Sequence, residues 1–313
     1  MIALLRRWAL TAVPLVFVVT ALTFVLASLV PGDAARAIVG VNAPPGQYEA
    51  LRDELGLDKP LPQQYWNWLS GAVQGDFGHS TANQDSIGHQ LRVRLGVTLC
   101  LVIGALIVGA VVGVGMGVLS AVRRGAAGRI VDVVTLLLAA VPGYWFGLIL
   151  AYVFAVKLQW LPAINYVAFS DSPSGWAKSL TLPVLTLGLT CSAPIAKQTR
   201  NGVLTELDRE YVTVLRARGV ATRSILFKHV LRNASAPVVT VLGLVAIGLL
   251  GGTVLVETLF VLPGLGGLAV TSTGAHDLPA IQGVAAVFTV IVVLVNLVTD
   301  VILAALDPRV RSS

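Results

Sequence analysis

The residues best placed to do chemistry at a surface lie in one polar interval, ELDREYVTVLRARGVATRSILFKHVLRNASAP, at 206–237. From 197 to 232 there are eight Lys or Arg against three acids, Glu206, Asp208 and Glu210. Leu204, Leu207, Tyr211, Val214 and Leu215 recur at helical spacing, Gly219 interrupts, and Ile225, Leu226 and Val230 resume the pattern. A glycine with positive φ would let the second helix fold back on the first, with Thr222 as its N-cap. Three readings are open for such a segment: a solvated basic loop, a DNA-binding helix–turn–helix, and a docking surface for a partner. The second fits least, because both flanks run directly into apolar sequence.

Reactive chemistry elsewhere is sparse. No GxxxxGK[ST] phosphate loop and no HExxH occur, so neither a nucleotide grip of that kind nor a zinc hydrolase is expected, and no metal or cofactor is expected in this chain. Cys100 and Cys191 both fall in apolar runs, which argues against a disulfide. His79, His89, His229 and His276 all fall in expected loops, so no Ser–His hydrolase at membrane depth is indicated. The charges inside apolar runs, Asp132, Glu257 and Asp300, fall near span ends; Asp132 is expected to pair with Arg129. An ion-gradient-driven carrier, the alternative class of transporter, needs ionisable groups deep in the bilayer, and none is evident.

The elements that position these residues are membrane helices. Hydrophobic residues make up 56% of the 313 and charged ones 12%, with a mean hydropathy of +0.82, which excludes a soluble domain. Six apolar runs reach the roughly 20 residues a spanning helix needs, near 9–30, 96–122, 130–155, 180–199, 236–262 and 281–305. The first follows Arg6 and Arg7 but is longer than a signal-peptide core and lacks a clear cleavage site, so a retained helix is expected. Placing both termini inside puts fifteen of the 22 basic residues on the inner side: Arg6, Arg7, Arg123, Arg124, Arg129, the eight of 197–232, Arg309 and Arg311. The net charge of +6 is thus a topology signal, not a sign of nucleic acid.

Four regions follow: a first helix at 1–30, an external segment at 31–94, a five-helix core at 95–306 containing the loop 200–235, and an inner tail at 307–313. The external segment reads as short surface helices. Tyr48, Leu51, Leu55 and Leu57 form one stripe, while Tyr65, Trp66, Trp68 and Leu69 suit a membrane interface. Gly109, Gly113 and Gly117 form small-xxx-small faces in the second span. In the third, Pro142 with Tyr144 and Trp145 should kink the helix in mid-membrane. Beyond the fifth, PGLGG cannot continue a helix and should form a re-entrant turn.

The run EYV…RARG…HVLRNA…P resembles the cytoplasmic loop of ABC-importer permeases, in the dipeptide/oligopeptide/nickel branch. The general family has Glu-Ala-Ala where this chain has Thr213, Val214 and Leu215, and Pro where it has Arg232; that branch shares both departures. LRxELGLDKPLPxQYxxWL, GDFGxS, a Pro-x-x-Trp/Phe-x-Gly segment, ET-F-xx-PGLG and LDPRVR extend the likeness along the chain. The resemblance implies an all-α membrane protein of six transmembrane helices, N-in and C-in, with the type I importer permease fold. It further implies a second permease, two cytoplasmic ATPase subunits that carry ATP and Mg, an extracytoplasmic solute-binding protein and a lipid bilayer as partners. Glu210, Tyr211, Val212, Leu215, Arg216, Ala217, Arg218 and Gly219 would couple to the ATPase. Glu257, Pro263, Gly264 and Gly266 would belong to an external gate. Short peptides are the expected cargo, with nickel complexes, glutathione and haem carried by close relatives.

Overall fold

The computed structural model describes residues 2–29, 34–40, 44–54, 56–123 and 125–306. Among the described residues the regular secondary structure is all helix, apart from one isolated antiparallel bridge between His79 and Ser86. Expectations resting on Leu55, Arg124 and the tail at 307–313 fall outside these residues. The helices are α1 (Ile2–Ser28), α2 (Ala34–Val39), α3 (Pro45–Glu54), α4 (Leu61–Val73), α5 (Ile87–Val122), α6 (Ala126–Ala140) and α7 (Gly143–Ala151), then α8 (Pro173–Leu207), α9 (Glu210–Ala217), α10 (Thr222–Ser224), α11 (Leu231–Leu259), α12 (Leu265–Gly274) and α13 (Leu278–Leu306). Wider π turns extend α7 over Tyr152–Lys157 and join α10 to α11 over Ile225–Val230.

Among the described residues five helices are long and apolar enough to cross a bilayer, and a sixth crossing is made only if a bent pair counts as one span. That pair is Gly128–Ala140 with Gly143–Lys157, and it turns through 101°. The mid-span kink expected at Pro142 is therefore a full break. Val141 is extended at ψ 122 and Pro142 at ψ 135, so the ring that removes a backbone donor also begins a new helix.

The chain divides into two compact units. One comprises Met1–Thr98 with Pro263–Leu294. Its core is Ile87, Leu91, Leu265, Leu268, Ala280 and Val284. Tyr65 of α4 is buried, not interfacial: its ring meets Phe17 and Phe24 edge-on at 5.7 and 5.6 Å, and its hydroxyl lies 2.9 Å from that of Thr20. An aromatic ring with its one polar atom satisfied thereby fastens the segment after α1 to α1 itself.

The other unit comprises Leu99–Leu262 with Val295–Ser313. Here α5 lies backbone-close to α8 through the small-residue face. A Cβ added at Gly113 would stand 2.7 Å from the Ser192 carbonyl, and one at Gly117 2.5 Å from that of Ala196. Gly188 of α8 returns the contact, since its Cβ would meet Val108 at 2.7 Å. The GxxxG pattern thus serves packing within the chain.

Candidate functional site

The polar interval forms an elbow between α8 and α11. After Leu207 the chain turns at Asp208 and Arg209 and starts α9, with Glu210 in its first turn and Arg216 in its last, both matched in sign to the helix dipole. The helix ends in a Schellman motif: Gly219 N–H donates to the Arg216 carbonyl at 3.0 Å and Val220 N–H to that of Leu215 at 3.1 Å. Gly219 has φ +74, the positive value expected of it, and space around its missing Cβ is open. The second helix starts one residue earlier than expected. Ala221, extended at ψ 136, is its N-cap, and Thr222 is already helical, so the cap lacks a side-chain bond.

What holds the elbow is an apolar knot of Val203, Val212, Ile225, Leu226, Val230 and Ala234, with Val118, Leu207, Leu215 and Val220 packed around it. Val212 is 0% exposed, so it anchors α9 rather than offering an outward contact. Leu215 and Tyr211 are half-buried against the same knot. The outward face is Glu210, Thr213, Val214, Arg216, Ala217 and Arg218, with Val214 51% exposed. Helical periodicity had placed Val214 on the inner stripe; the short helix, only two turns long, turns it out instead.

A polar clasp closes the knot. Tyr211 donates its hydroxyl proton to Glu206 Oε2 at 2.9 Å and accepts from Asn233 Nδ2 at 3.3 Å, while Arg209 lies 3.8 Å from Glu206. Burial, reinforced by the bond to the Glu206 carboxylate, raises the Tyr211 phenol above its ordinary 10.0. Glu206 and Asn233 carried no signal of this role in the sequence beyond their polarity.

Beside the elbow, Asp132 pairs with Arg200 at 3.4 Å, not with Arg129, and accepts from the Ser120 hydroxyl at 2.5 Å. Arg129 sits only three residues along the same helix, whereas Arg200 arrives from α8 on the facing wall. Asp300 has no ion-pair partner among the described residues.

The expected gate residues divide between the two units. Glu257, 1% exposed, ends α11 in the second unit, and its carbonyl accepts from Leu262 N–H at 2.8 Å across a turn with Val261 at φ +53. Pro263, Gly264 and Gly266 belong to the first. There PGLGG does not make a simple turn: Pro263 and Gly264 break the chain, but Gly266 and Gly267 already lie in α12. Thr98 accepts the Leu265 N–H at 2.9 Å, satisfying one of the free donors of that helix start. At the break in the third span, Tyr144 and Trp145 are exposed.

Two further departures concern histidine and aspartate. His89 is in α5 and His229 in the π turn, so only His79 and His276 lie in loops. Asp277, given no role from the sequence, is 2% exposed and receives the Ser80 hydroxyl, Thr81 N–H at 3.2 Å and Ala280 N–H at 3.4 Å. It caps α13 and pins the turn after α4 in one stroke.

Comparison with known proteins agrees with this architecture. Residues 94–312 match the family model for the binding-protein-dependent transport system inner membrane component, and residues 1–102 match that of its N-terminal region. A Brucella abortus (strain 2308) protein named as a peptide transport system permease is 38% identical over 312 residues, covering 99% of both chains. The glutathione transport system permease protein GsiC of Escherichia coli (strain K12) is 38% identical over 303 residues, covering 96% of this chain and 95% of that one. Among solved structures, the inward-facing MetNI methionine ABC transporter has a chain with a TM-score of 0.56 at 20% identity, covering 69% of this chain and 96% of that one, which shows a shared fold. With both family models matched and relatives aligned end to end, the chain belongs to the binding-protein-dependent transport system inner membrane components, in the dipeptide/oligopeptide/nickel branch of ABC-importer permeases, as a multi-pass inner-membrane permease subunit.

Proposed function

We propose that this permease carries short peptides inward, with both termini on the cytoplasmic side, driven by separate ATPase subunits that seat on α9. The observation that carries the reading is the elbow itself: a two-turn helix fixed from behind by Val212 and Leu215, free in front at Val214, Arg216 and Arg218. A helix held this way moves as a rigid lever. Force applied to its outer face passes through the apolar knot to α8 and α11, which run on from it as spans. Two ATPase subunits carrying ATP and Mg, a second permease and an extracytoplasmic solute-binding protein complete the assembly. The end-to-end relative named for peptide transport supports peptide cargo. Glutathione, itself a tripeptide, is the second reading, supported by the relative named for its transport.

Reconstitution of the whole assembly in proteoliposomes tests this. ATP-dependent accumulation of a labelled dipeptide, increased by the binding protein, is the expected result. Uphill accumulation under an ion gradient with no ATP would overturn it, and accumulation of glutathione alone would select the second reading.

A further inference from the structure

Next to the elbow, α5, α6 and α8 line a half-open cleft of about 500 Å³, a volume within the usual range for small-molecule sites. Its polar lining is Ser120, Asp132, Thr135, Lys197, Arg200 and Asn201, with the Thr135 hydroxyl already donating to the Val131 carbonyl. The acid is already engaged, by the Arg200 guanidinium at 3.4 Å and the Ser120 hydroxyl at 2.5 Å. Arg200 makes those contacts through Nε, donating to Ser120 at 2.9 Å, so its two terminal amines have no hydrogen-bond acceptor among the described residues. Lys197 has no ion-pair partner among them either. The cleft therefore carries two cations against one anion, and the donors left over belong to Lys197, Arg200 and Asn201. The remaining wall is apolar, with Met116, Leu136 and Pro194 prominent.

We infer that this cleft binds a single carboxylate attached to an apolar body, as at the C-terminal residue of a short peptide. Lys197 supplies the uncompensated charge, Arg200 a planar pair of donors, and the apolar wall takes the side chain. One net positive charge matches a monoanion, and Asp132 disfavours a more highly charged ligand. Arg200 and Asp132 are 38% and 46% exposed, so water screens the attraction and the apolar wall strengthens it only in part. Asp132 and Ser120 act by holding the guanidinium in place. The importer reading above identifies the ligand as cargo; the binding chemistry itself is independent of it.

The test is binding to the assembled transporter, without its solute-binding protein, in phosphatidylcholine nanodiscs. The probes are N-acetylphenylalanine as its carboxylate and N-acetylphenylalaninamide, read by saturation-transfer NMR. The carboxylate is expected to bind at least about tenfold tighter than the amide, the size of one charge-assisted hydrogen bond. Lys197→Met should remove that preference and leave amide binding unchanged, and Lys197→Arg should restore it. Lys197 is exposed, so neither change threatens the fold. Equal binding of the two probes, or a preference unaltered by Lys197→Met, overturns the inference. So does displacement of the probe by phosphatidylglycerol together with loss of co-purified phosphatidylglycerol in Lys197→Met, which would make this an anionic-lipid site. ATP-driven uptake by the same purified transporter, reconstituted into sealed proteoliposomes with its binding protein, keeps the two readings apart: uptake without carboxylate preference sinks the site alone, and absent uptake sinks the importer reading.

Discussion

Ser80 donates its hydroxyl proton to the Asp277 carboxylate across 197 residues of sequence, and both side chains are buried. The carboxylate also accepts from Thr81 and Ala280 N–H, so one anion ties the turn after α4 to the start of α13. Ser80→Ala removes one donor from a buried carboxylate and is expected to destabilise the protein by about 1–3 kcal/mol. Asp277→Ala strands a hydroxyl and two amides together and should cost more. Thermal unfolding in detergent reads both; equal melting of wild type and Asp277→Ala would show that the clasp contributes nothing.

Gly113 and Gly115 lie two residues apart on α5 and should respond to alanine in opposite ways. At Gly113 the new methyl would press on the Ser192 carbonyl and on Ile195, and α5 would have to move off α8. Overpacking of this kind costs about 1–3 kcal/mol. At Gly115 nothing lies within 4 Å, so alanine adds only helix propensity and should be neutral or stabilising by up to about 1 kcal/mol. Unfolding of the two variants side by side decides it.

Much of this organisation is legible in the sequence because membrane helices announce themselves by length and hydropathy. The positive φ of Gly219 and the knot residues Ile225, Leu226 and Val230 follow from periodicity and one glycine. The 101° turn at Pro142 does not, because proline permits a kink, a break or a helix start alike, and the neighbours of the new helix, Thr186 and Leu259 beside Gly147, come from distant sequence. Asp277 and the Asp132–Arg200 pair were out of reach for a different reason. Their partners come from distant sequence, and local spacing favours the wrong neighbour, as Arg129 did. Helix α12 was hidden because Gly266 and Gly267 read as breakers, yet both lie in its first turn.

The Tyr211 hydroxyl bridges Glu206 and Asn233 behind α9. Tyr211→Phe is expected to cost about 1 kcal/mol and to loosen α9 against α8 and α11 without unfolding the protein. Because its folded pKa is raised above 10.0, the neutral phenol is favoured in the folded state. Its contribution is therefore complete below pH 10 and is lost as pH climbs beyond that value, when the unfolded chain ionises first. Stability of wild type and Tyr211→Phe measured from pH 7 to 11 should differ by a constant amount up to about pH 10 and converge above it.

At Gly219 only the backbone is at stake. No atom would meet a new Cβ, so Gly219→Ala should cost about 1 kcal/mol for a left-handed alanine and leave insertion intact. Gly219→Asp adds a carboxylate on the outward side of the elbow, and we expect uptake to be abolished while membrane abundance is unchanged. Gly219→Asn, which tolerates positive φ without the charge, should retain most uptake. Full uptake by Gly219→Asp would remove this residue from coupling.

Val212 and Val214 are neighbours on α9 with opposite duties, and one substitution separates them. Val212 is 0% exposed within the knot, so Val212→Asp buries an unpaired charge and should collapse the elbow, lowering the folded yield. Val214 is 51% exposed, so Val214→Asp should leave melting within about 0.5 kcal/mol of wild type. If the ATPase seats on the outer face, that second variant loses ATPase co-purification and uptake at normal abundance. Retained co-purification with Val214→Asp, alongside its loss with Arg216→Ala and Arg218→Ala, would place the contact on the basic end of α9. Retention in all three and in Glu210→Ala would mean that the ATPase does not dock on this helix, because those four residues carry the charge and most of the apolar area of its outward face.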